Sequence, residues 1–339
     1  MPRSAVFALA GLALALVPAR APAWNSVGHL AVAKLAYDQL GDGEKLKLYG
    51  ILKSHPHFEM FLAAGRPAGV EEAEWVILRA AIWSDWVRPR DKDPRGPAAT
   101  KYNRPEDHYV NVPLIDPKDA DALAGKTLVN PDTMNIVSAL KQRCNEVRLK
   151  NVAAEDKAVA VCWIFHLVGD IHQPMHNVAY FSSAPAFKDG DLGGNKFAIR
   201  VNGRGTKLHT YWDNLLGDDP QYLDDSGDRQ ARIYQQAIAV ATALRGRELA
   251  AADRERLEKN RTFQSWSNEG FELAKSVAYR KADGSGLLEA VEAKFNQAVP
   301  DTAPEVGEKY IETAKATAEV RVILAGRRLA DRVKLVLAK

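Results

Sequence analysis

The chain has 339 residues, of which 46% are hydrophobic and 26% charged, so it can form one large domain or two ordinary ones with a sizeable core. Its formal net charge of +3 at pH 7 excludes a broad electrostatic field for nucleic acid. Any phosphate that the protein binds is therefore held locally, by a few side chains or by metal.

The first 23 residues predict a cleaved secretory signal. Arg3 precedes an apolar run at 5–17, and residues 21–23 match the A-x-A pattern of a signal-peptidase site. The run is too short and too rich in alanine for a membrane anchor. We therefore expect a signal peptide at 1–23 and a mature domain at 24–339 that works in the periplasm or outside the cell.

Apolar periodicity and helix-end signals predict a single, mainly α-helical domain. The loops are short, and no shift in composition marks an internal boundary. Helices are predicted at 28–40, 44–54, 71–87, 130–148, 154–171, 228–244, 263–279, 286–295 and 305–337. A short β-hairpin is predicted at 197–208, and loops at 89–99 and 179–195, the second of them functional.

Cys144 and Cys162 are the two cysteines of the chain. In an oxidising compartment they can form a disulfide that ties two helices together. Two separate buried thiols are the alternative, because the sequence does not give their separation.

Residues 166–176 concentrate potential metal ligands. They contain three of the eight histidines and a carboxylate. His166 and Asp170 are four residues apart, so on a helix they share a face and can converge on one cation. A proline then kinks or ends the helix, and His176 need not follow the same face.

The same spacing returns at His209 and Asp213. One His-x-x-x-Asp pair is weak evidence, but two that flank a glycine-rich loop indicate metal. Further candidate ligands are a new N-terminal amine at Trp24 and the side chains of His29, Asp85 and His108. The set offers nitrogen and oxygen but no thiolate, which suits zinc in catalytic sites and several ions rather than one.

Six motifs, in this order, resemble those of the S1/P1 nuclease family. They are Trp24-Asn25-Ser26-Val27-Gly28-His29, Trp83-Ser84-Asp85, His108-Tyr109, His166-x3-Asp170-Ile171-His172-Gln173-Pro174-x-His176, Gly193-Gly194-Asn195 and Leu208-His209-x3-Asp213. Members of that family are secreted zinc-dependent single-strand nucleases and 3′-nucleotidases. The resemblance covers essentially the whole mature chain and implies a helical phospholipase C/nuclease-like fold with a trinuclear zinc cleft.

The resemblance implies ligands for three zinc ions. The first ion takes Asp85, His108, His166 and Asp170. The second takes His176, His209 and Asp213. The third takes the amine and carbonyl of Trp24 together with His29, and shares Asp170. Asp85 and Asp170 are therefore expected in the catalytic centre, whereas a structural hydrogen bond is expected for His172 and surface positions for His55 and His57.

The resemblance also implies substrate contacts. Arg88 resembles a basic residue that steadies transition-state charge, although a solvent-exposed helix end explains it equally well. Tyr109 stands where the family stacks an unpaired base, and Asn195 is expected to hydrogen-bond the base edge. Asn111 replaces an aspartate of familiar family members, and since an amide both donates and accepts, base preference is expected to be shifted or relaxed.

The implied reaction is hydrolysis of single-stranded DNA and RNA by a zinc-bridging hydroxide, with 5′-phosphate products and additional 3′-nucleotidase activity. We expect a monomer with these substrates and no membrane partner. The principal alternative is a zinc-dependent phospholipase C, which shares the fold and the metal triad; Asp213, Tyr109 and Asn195 favour the nuclease. A zinc-binding or adhesion protein without turnover is a further alternative, but its ligand set would be closed to water.

The expected N-terminal ligand can be tested directly. One residue added before Trp24 should impair activity and leave the fold intact, because it removes the α-amine from its position. Activity and circular dichroism of the Met-extended mature protein would be compared with those of the protein that begins at Trp24. Full activity of the extended protein would refute a zinc site at the N-terminus.

Overall fold

The computed structural model describes residues 24–89, 97–130, 133–218 and 227–338. The predicted signal at 1–23 and most of the predicted loop at 89–99 lie outside these residues.

The helices are α1 Ser26–Tyr37, α2 Asp42–Leu52, α3 Glu72–Ala80, α4 Trp83–Trp86, α5 Pro97–Thr100, α6 Ala120–Leu123, α7 Ile136–Arg148, α8 Ala154–His172, α9 Leu208–Asp213, α10 Gly227–Arg245, α11 Ala251–Lys259, α12 Phe263–Leu273 and α13 Glu308–Leu337. Single 3-10 turns at Pro105–His108, Pro117–Asp119 and Pro174–Asn177 and π-helical turns at Phe58–Leu62 and Ala274–Ala278 complete the helical part. The predicted, mainly helical fold is confirmed.

Helix α8 lies at the centre of the molecule. Every residue from 158 to 172 is buried, as expected for a helix that packs on all sides. Helices α1, α3, α7 and α13 contribute to the large hydrophobic cluster that surrounds it, which includes Trp83 and Trp163. Polar side chains on the C-terminal half of α8 therefore lie in the core and need partners there.

Two small sheets lie beside the helices. Strand β1 (Pro113–Ile115) pairs in parallel with β2 (Ala179–Phe181), so the predicted loop at 179–195 begins as a strand. The predicted hairpin is confirmed as β3 (Ala198–Val201) and β4 (Arg204–Lys207), with Asn202 and Gly203 at φ 50° and 75° in the turn. Strand β5 (Glu305–Val306) adds to β3 in parallel.

The predicted helix at 286–295 is wrong. This segment instead forms isolated bridges from Leu287 to Arg280 and from Glu292 to Phe197. Gly284 and Gly286 have φ of 74° and 159°, which directs the chain away from a helical path. The buried residues Leu288 and Ala293 of this segment belong to hydrophobic clusters that also contain residues of β3.

Other helix boundaries also differ from the prediction. Helix α7 begins at Ile136 rather than near residue 130, because the Asn135 side chain accepts from the amides of Val137 and Ser138 and caps it there. The predicted helix at 71–87 divides into α3 and α4, and α11 was missed. Within the described residues, no helix is both long enough and apolar enough to cross a bilayer.

The cysteines do not form the disulfide that was considered. Cys144 is half-buried and Cys162 is buried, and both are free thiols. Burial raises the pKa of Cys144 to about 11 and that of Cys162 well above its usual value, so neither thiol is a ready nucleophile.

Close packing of α1 on α13 depends on Gly326. A Cβ at this position would lie 2.5 Å from the Cβ of Leu35, so the Gly326→Ala substitution should lower the free energy of unfolding by about 1–3 kcal/mol, despite the better helix propensity of alanine. Urea denaturation measures the change. Gly50→Ala is the matched control: no atom lies within 4 Å of its Cβ, and it should raise stability by roughly 0.5–1 kcal/mol. Stabilisation by both substitutions would contradict the close contact.

Candidate metal centre

Six separate elements deliver the predicted ligands to one buried region. They are α1 with His29, α4 with Asp85, the turn Pro105–His108 with His108, α8 with His166 and Asp170, the turn Pro174–Asn177 with His176, and α9 with His209 and Asp213. Their donor atoms form three groups that could each hold an ion: His29, His166 and Asp170; Asp85, His108 and His166; His176, His209 and Asp213. The structure thus brings together all the histidine and aspartate residues that were predicted as ligands.

Asp170 joins the first two groups. One of its oxygens, Oδ1, lies 3.2 Å from Nε2 of His29. The other, Oδ2, lies 2.9 Å from Nδ1 of His108 and 3.2 Å from Nε2 of His166. A single fully buried carboxylate therefore has imidazoles on both of its oxygens, which is the arrangement expected of a ligand shared by two ions.

The third group contains two imidazole nitrogens that face each other. Nδ1 of His176 is 2.7 Å from the carbonyl oxygen of His108, and Nδ1 of His209 is 2.6 Å from that of Gly193. A carbonyl only accepts, so in each neutral ring the proton is on Nδ1 and Nε2 presents a lone pair. The two Nε2 atoms are 3.2 Å apart, and the Asp213 carboxylate lies 3.6 Å from the second. Lone pairs at this distance repel each other unless a cation lies between them.

The distances fit zinc-sized coordination. Metal–nitrogen distances of about 2.0–2.1 Å in a tetrahedron place neighbouring ligand atoms roughly 3.3 Å apart. Nε2 of His166 is 3.0 Å from Nδ1 of His108, and its own Nδ1 donates to the carbonyl of Ala81 at 2.8 Å. Such a bond from the far ring nitrogen fixes the tautomer and the orientation of a ligating histidine. Both ring nitrogens of His29 are buried without a hydrogen bond, as is Oδ1 of Asp170.

Burial and neighbouring charges favour the ligand form in most of these groups. His166 is the exception: burial opposes its charge, but Asp170 and Asp85 outweigh burial and raise its pKa, so a metal that binds there displaces a proton. Burial lowers the pKa of His29 and His176, and burial together with Arg88 lowers that of His108 to about 3, so these rings are neutral near pH 7. Burial works against ionisation of Asp85, but Arg88 and the imidazoles outweigh it and lower the pKa.

Asp213 behaves differently. Burial raises its pKa well above the usual value, although a hydrogen bond from Gln173 opposes the shift. An ionised Asp213 therefore needs a nearby cation.

The predicted substrate residues line one cavity beside these groups. Its walls include Arg88, Tyr109, Asn111, Asn195, His108, His176 and His209. Arg88 is not a free helix end: Nε lies 2.9 Å from Oδ1 of Asp85, and the side chain is 20% exposed. A molecule in the cavity would therefore meet a cation, an aromatic ring and two amides next to the imidazoles.

Several supporting residues were missed in the sequence. The Gln173 amide donates to Oδ1 of Asp213 at 2.8 Å and accepts from the Met175 amide at 2.6 Å, so it fixes the Asp213 carboxylate. Its position between two ligands of the central motif was the available signal. The carbonyls that orient the histidine rings had no signal, because any residue can supply them.

His172 has the structural hydrogen bonds expected for it. Nδ1 donates to the carbonyl of Val168 at 2.7 Å, and Nε2 accepts from Nη1 of Arg328 at 2.9 Å. Arg321 donates to the His172 carbonyl at 3.0 Å, and both arginines bind the Glu269 carboxylate. This buried ionic group holds the C-terminal end of α8, next to the ligands.

The expected surface positions of His55 and His57 are wrong. Both side chains are buried behind α4, at 3% and 5% exposure. The His57 ring accepts from the indole of Trp83 at 3.1 Å, and the His55 ring packs edge-on against the same indole at 4.7 Å. The two imidazoles therefore support the helix that carries Asp85.

Comparison with known proteins identifies the family of this chain. The family model described as S1/P1 Nuclease matches residues 24–338. The chain belongs to the S1/P1 nuclease family. The predicted resemblance is thereby confirmed over the whole described region.

The chain is similar to individual S1/P1 nucleases at modest identity. It is 22% identical to Nuclease S1 from Aspergillus oryzae over 223 residues, which cover 65% of this chain and 62% of that protein. It is 26% identical to Endonuclease 3 from Arabidopsis thaliana over 131 residues, 38% of this chain and 40% of the relative. With Nuclease P1 from Penicillium citrinum it shares 30% identity over 87 residues, 26% and 27% of the two chains. The matches span less than two thirds of the length of each relative.

The buried His55 predicts a specific pH dependence. Burial, reinforced by His57, lowers its pKa from 6.5 to about 3. Below pH 6.5 the unfolded chain binds a proton here that the folded protein cannot bind, so stability falls as the pH falls towards 3, by about 1.4 kcal/mol per pH unit. Urea denaturation at pH 4, 5, 6 and 7 measures this slope.

The matched variant is His55→Asn, whose amide oxygen can replace Nδ1 as the acceptor for the His57 amide. Its stability should fall less steeply than that of the unsubstituted protein over the same pH range. Equal slopes for the two proteins would show that His55 takes up its proton in the folded state.

Proposed function

We propose that this protein is a zinc-dependent phosphodiesterase that hydrolyses single-stranded DNA and RNA. The observation that carries the proposal is the pair of facing Nε2 atoms of His176 and His209, 3.2 Å apart in a buried site, with Nδ1 of each ring directed at a carbonyl oxygen. A cation bound between the two Nε2 atoms would take up both lone pairs, and the two other ligand groups lie beside it. Membership of the S1/P1 nuclease family supports a nuclease among the possible hydrolases.

Three zinc ions are proposed, with the ligands that the motifs implied. Asp85, His108, His166 and Asp170 bind the first. His176, His209 and Asp213 bind the second. The third is held by His29, Asp170 and the Trp24 main chain, once removal of residues 1–23 has released its amine. The complete burial of Trp24 beside α1 supports an ordered N-terminus at this position.

The cavity residues provide the substrate contacts. Tyr109 offers a ring for stacking an unpaired base, and stacking of this kind requires a single strand. Asn195 and Asn111 offer amides to the base edge. Arg88, held by its ion pair with Asp85, directs positive charge at the phosphate and stabilises the charge that develops on its oxygens.

The protein prepares the site for chemistry at phosphorus. Zinc bound here would supply hydroxide near neutral pH, because coordination lowers the pKa of water from about 15.7 towards 7. The carbonyls of Ala81, His108 and Gly193 hold three imidazoles in the ligating tautomer. Departure of the 3′-oxygen would leave 5′-phosphate products, and the same cavity would accept 3′-nucleotides.

We also propose that the mature domain, residues 24–339, acts as a monomer in the periplasm or outside the cell. The signal-like segment at 1–23 supports export. The phospholipase C alternative is not favoured, because the family match and the curated relatives are nucleases.

The test is product analysis with a single-stranded oligonucleotide, with and without a zinc chelator. The mature protein should cleave it to fragments with 5′-phosphate ends, and chelation should abolish cleavage. Elemental analysis should give three zinc ions per chain. Products with 3′-phosphate ends, or cleavage that persists without metal, would contradict the proposal.

A single-residue variant sharpens this test. His209→Asn keeps an amide that can donate to the Gly193 carbonyl but removes Nε2, so the rate should fall at least about a hundredfold. Lys188→Ala, at a side chain that is 65% exposed, is the control and should retain normal cleavage. An unchanged rate in His209→Asn would exclude His209 as a ligand.

A further inference from the structure

A strained turn ends the loop predicted at 179–195 and lies beside the third ligand group, which is His176, His209 and Asp213. Leu192, Gly193 and Gly194 follow one another with φ of 59°, 61° and 84°. Cβ atoms at the two glycines would lie 2.5 Å from the Met175 carbonyl and 2.6 Å from the Met175 Cε, so only glycine fits. Leucine in the left-handed region is strained and persists only where its surroundings fix it. Residues 192–195 are called the glycine turn below.

The glycine turn has two contacts with the proposed active site. The Gly193 carbonyl accepts from Nδ1 of His209 at 2.6 Å, and the Gly194 carbonyl accepts from the His209 main-chain amide at 3.3 Å. Asn195 lines the cavity, and its side chain donates to the Leu192 carbonyl at 3.0 Å. A displacement of the turn would therefore move both the His209 ring and the Asn195 amide.

A fully buried carboxylate, Asp191, anchors this turn from behind. Oδ2 accepts from the Tyr279 hydroxyl at 2.6 Å, and Oδ1 accepts from the Tyr180 amide at 2.9 Å. The Gly194 amide also favours the ionised form of this carboxyl and lowers its pKa. In addition, the Asp191 amide donates to the Tyr180 carbonyl at 3.0 Å. One residue thus connects β2, the end of the second π-helical turn and the glycine turn.

The partners of Asp191 are unusual for a buried acid. The hydroxyl and the amides around it are all neutral groups. Burial raises the pKa of Asp191 to about 6 even though these hydrogen bonds oppose the shift. A carboxylate is costly in such surroundings, and an apolar side chain could fill the space at lower cost. What an apolar residue could not do is accept hydrogen bonds from Tyr180 in β2 and from the Tyr279 hydroxyl at once, directly before the glycine turn.

We propose that Asp191 is a positioning residue that sets the glycine turn and, through it, the ring of His209 and the amide of Asn195. The effect on substrate rests on the proposed nuclease function, whereas the effect on metal binding rests only on the proposed zinc site. Asp191 does not touch substrate in this proposal. It acts through the Gly193 carbonyl and the turn backbone.

The test compares Asp191→Ala and Tyr279→Phe with the unsubstituted mature protein. Tyr279→Phe is the milder variant, because it removes one hydroxyl and keeps the ring in the core. Asp189→Ala, two residues away with a side chain that is 76% exposed, is the matched control. Two quantities are measured: zinc affinity by competition with a chromophoric chelator, and KM for a dinucleotide and for bis(4-nitrophenyl) phosphate, a phosphodiester without bases.

We expect the dissociation constant of the most weakly bound zinc ion to rise about tenfold to a hundredfold in Asp191→Ala, since loss of groups that orient ligands has effects of this size. The ratio of the dinucleotide KM to the KM for the base-free diester should rise about tenfold, because Asn195 moves with the turn. Tyr279→Phe should change both quantities in the same direction by less. Asp189→Ala should change neither.

The proposal is overturned if the substitutions lower the thermal midpoint while zinc affinity and the KM ratio stay within twofold of the unsubstituted protein. A merely structural role would give that result. If the unsubstituted protein binds zinc but cleaves neither diester, the proposed function fails. The zinc measurement then decides alone: weaker binding in Asp191→Ala and Tyr279→Phe supports the positioning role, and unchanged binding overturns it.

Discussion

The site depends on one buried carboxylate with imidazoles on both oxygens. Asp170 lies in the middle of the core on α8, where an isolated charge would be strongly unfavourable. Its pKa is held well below the usual range because His166, His108 and His29 outweigh the effect of burial. The elements that carry those histidines, from α1 to the Pro105–His108 turn, must therefore pack around α8 in a fixed register. The need to stabilise the buried Asp170 charge therefore accounts both for how these elements pack and for where the predicted histidine ligands lie.

The sequence was informative where the relevant geometry is local. His166 and Asp170, and likewise His209 and Asp213, are one helical turn apart, and helix periodicity alone places each pair on a common face. The buried character of α8 also follows from the uninterrupted apolar run at 158–165. The turn of the hairpin follows from Asn202 and Gly203, which adopt the required backbone conformation readily.

The sequence was uninformative where the outcome depends on distant partners. Segment 286–295 has helical spacing, but two glycines and pairing with residues far along the chain give it an extended path. His55 and His57 look like surface residues in the sequence, and only the fold shows that both are buried against Trp83. The carbonyls that select each histidine tautomer are main-chain groups, so no residue type marks them. The grouping of the ligands came from family motifs, not from spacing.

The contact of α13 with the end of α8 has a consequence for biosynthesis. Arg321 and Arg328 reach back to His172 across about 150 residues of chain, and they share Glu269 between them. A nascent chain in which α8 and α9 have left the ribosome holds every predicted ligand, yet it lacks the cations that fix the end of the helix that carries two of them. The support of this helix end is therefore completed only after the arginines of α13 have been added, and shorter chains leave the predicted ligands of α8 unsupported.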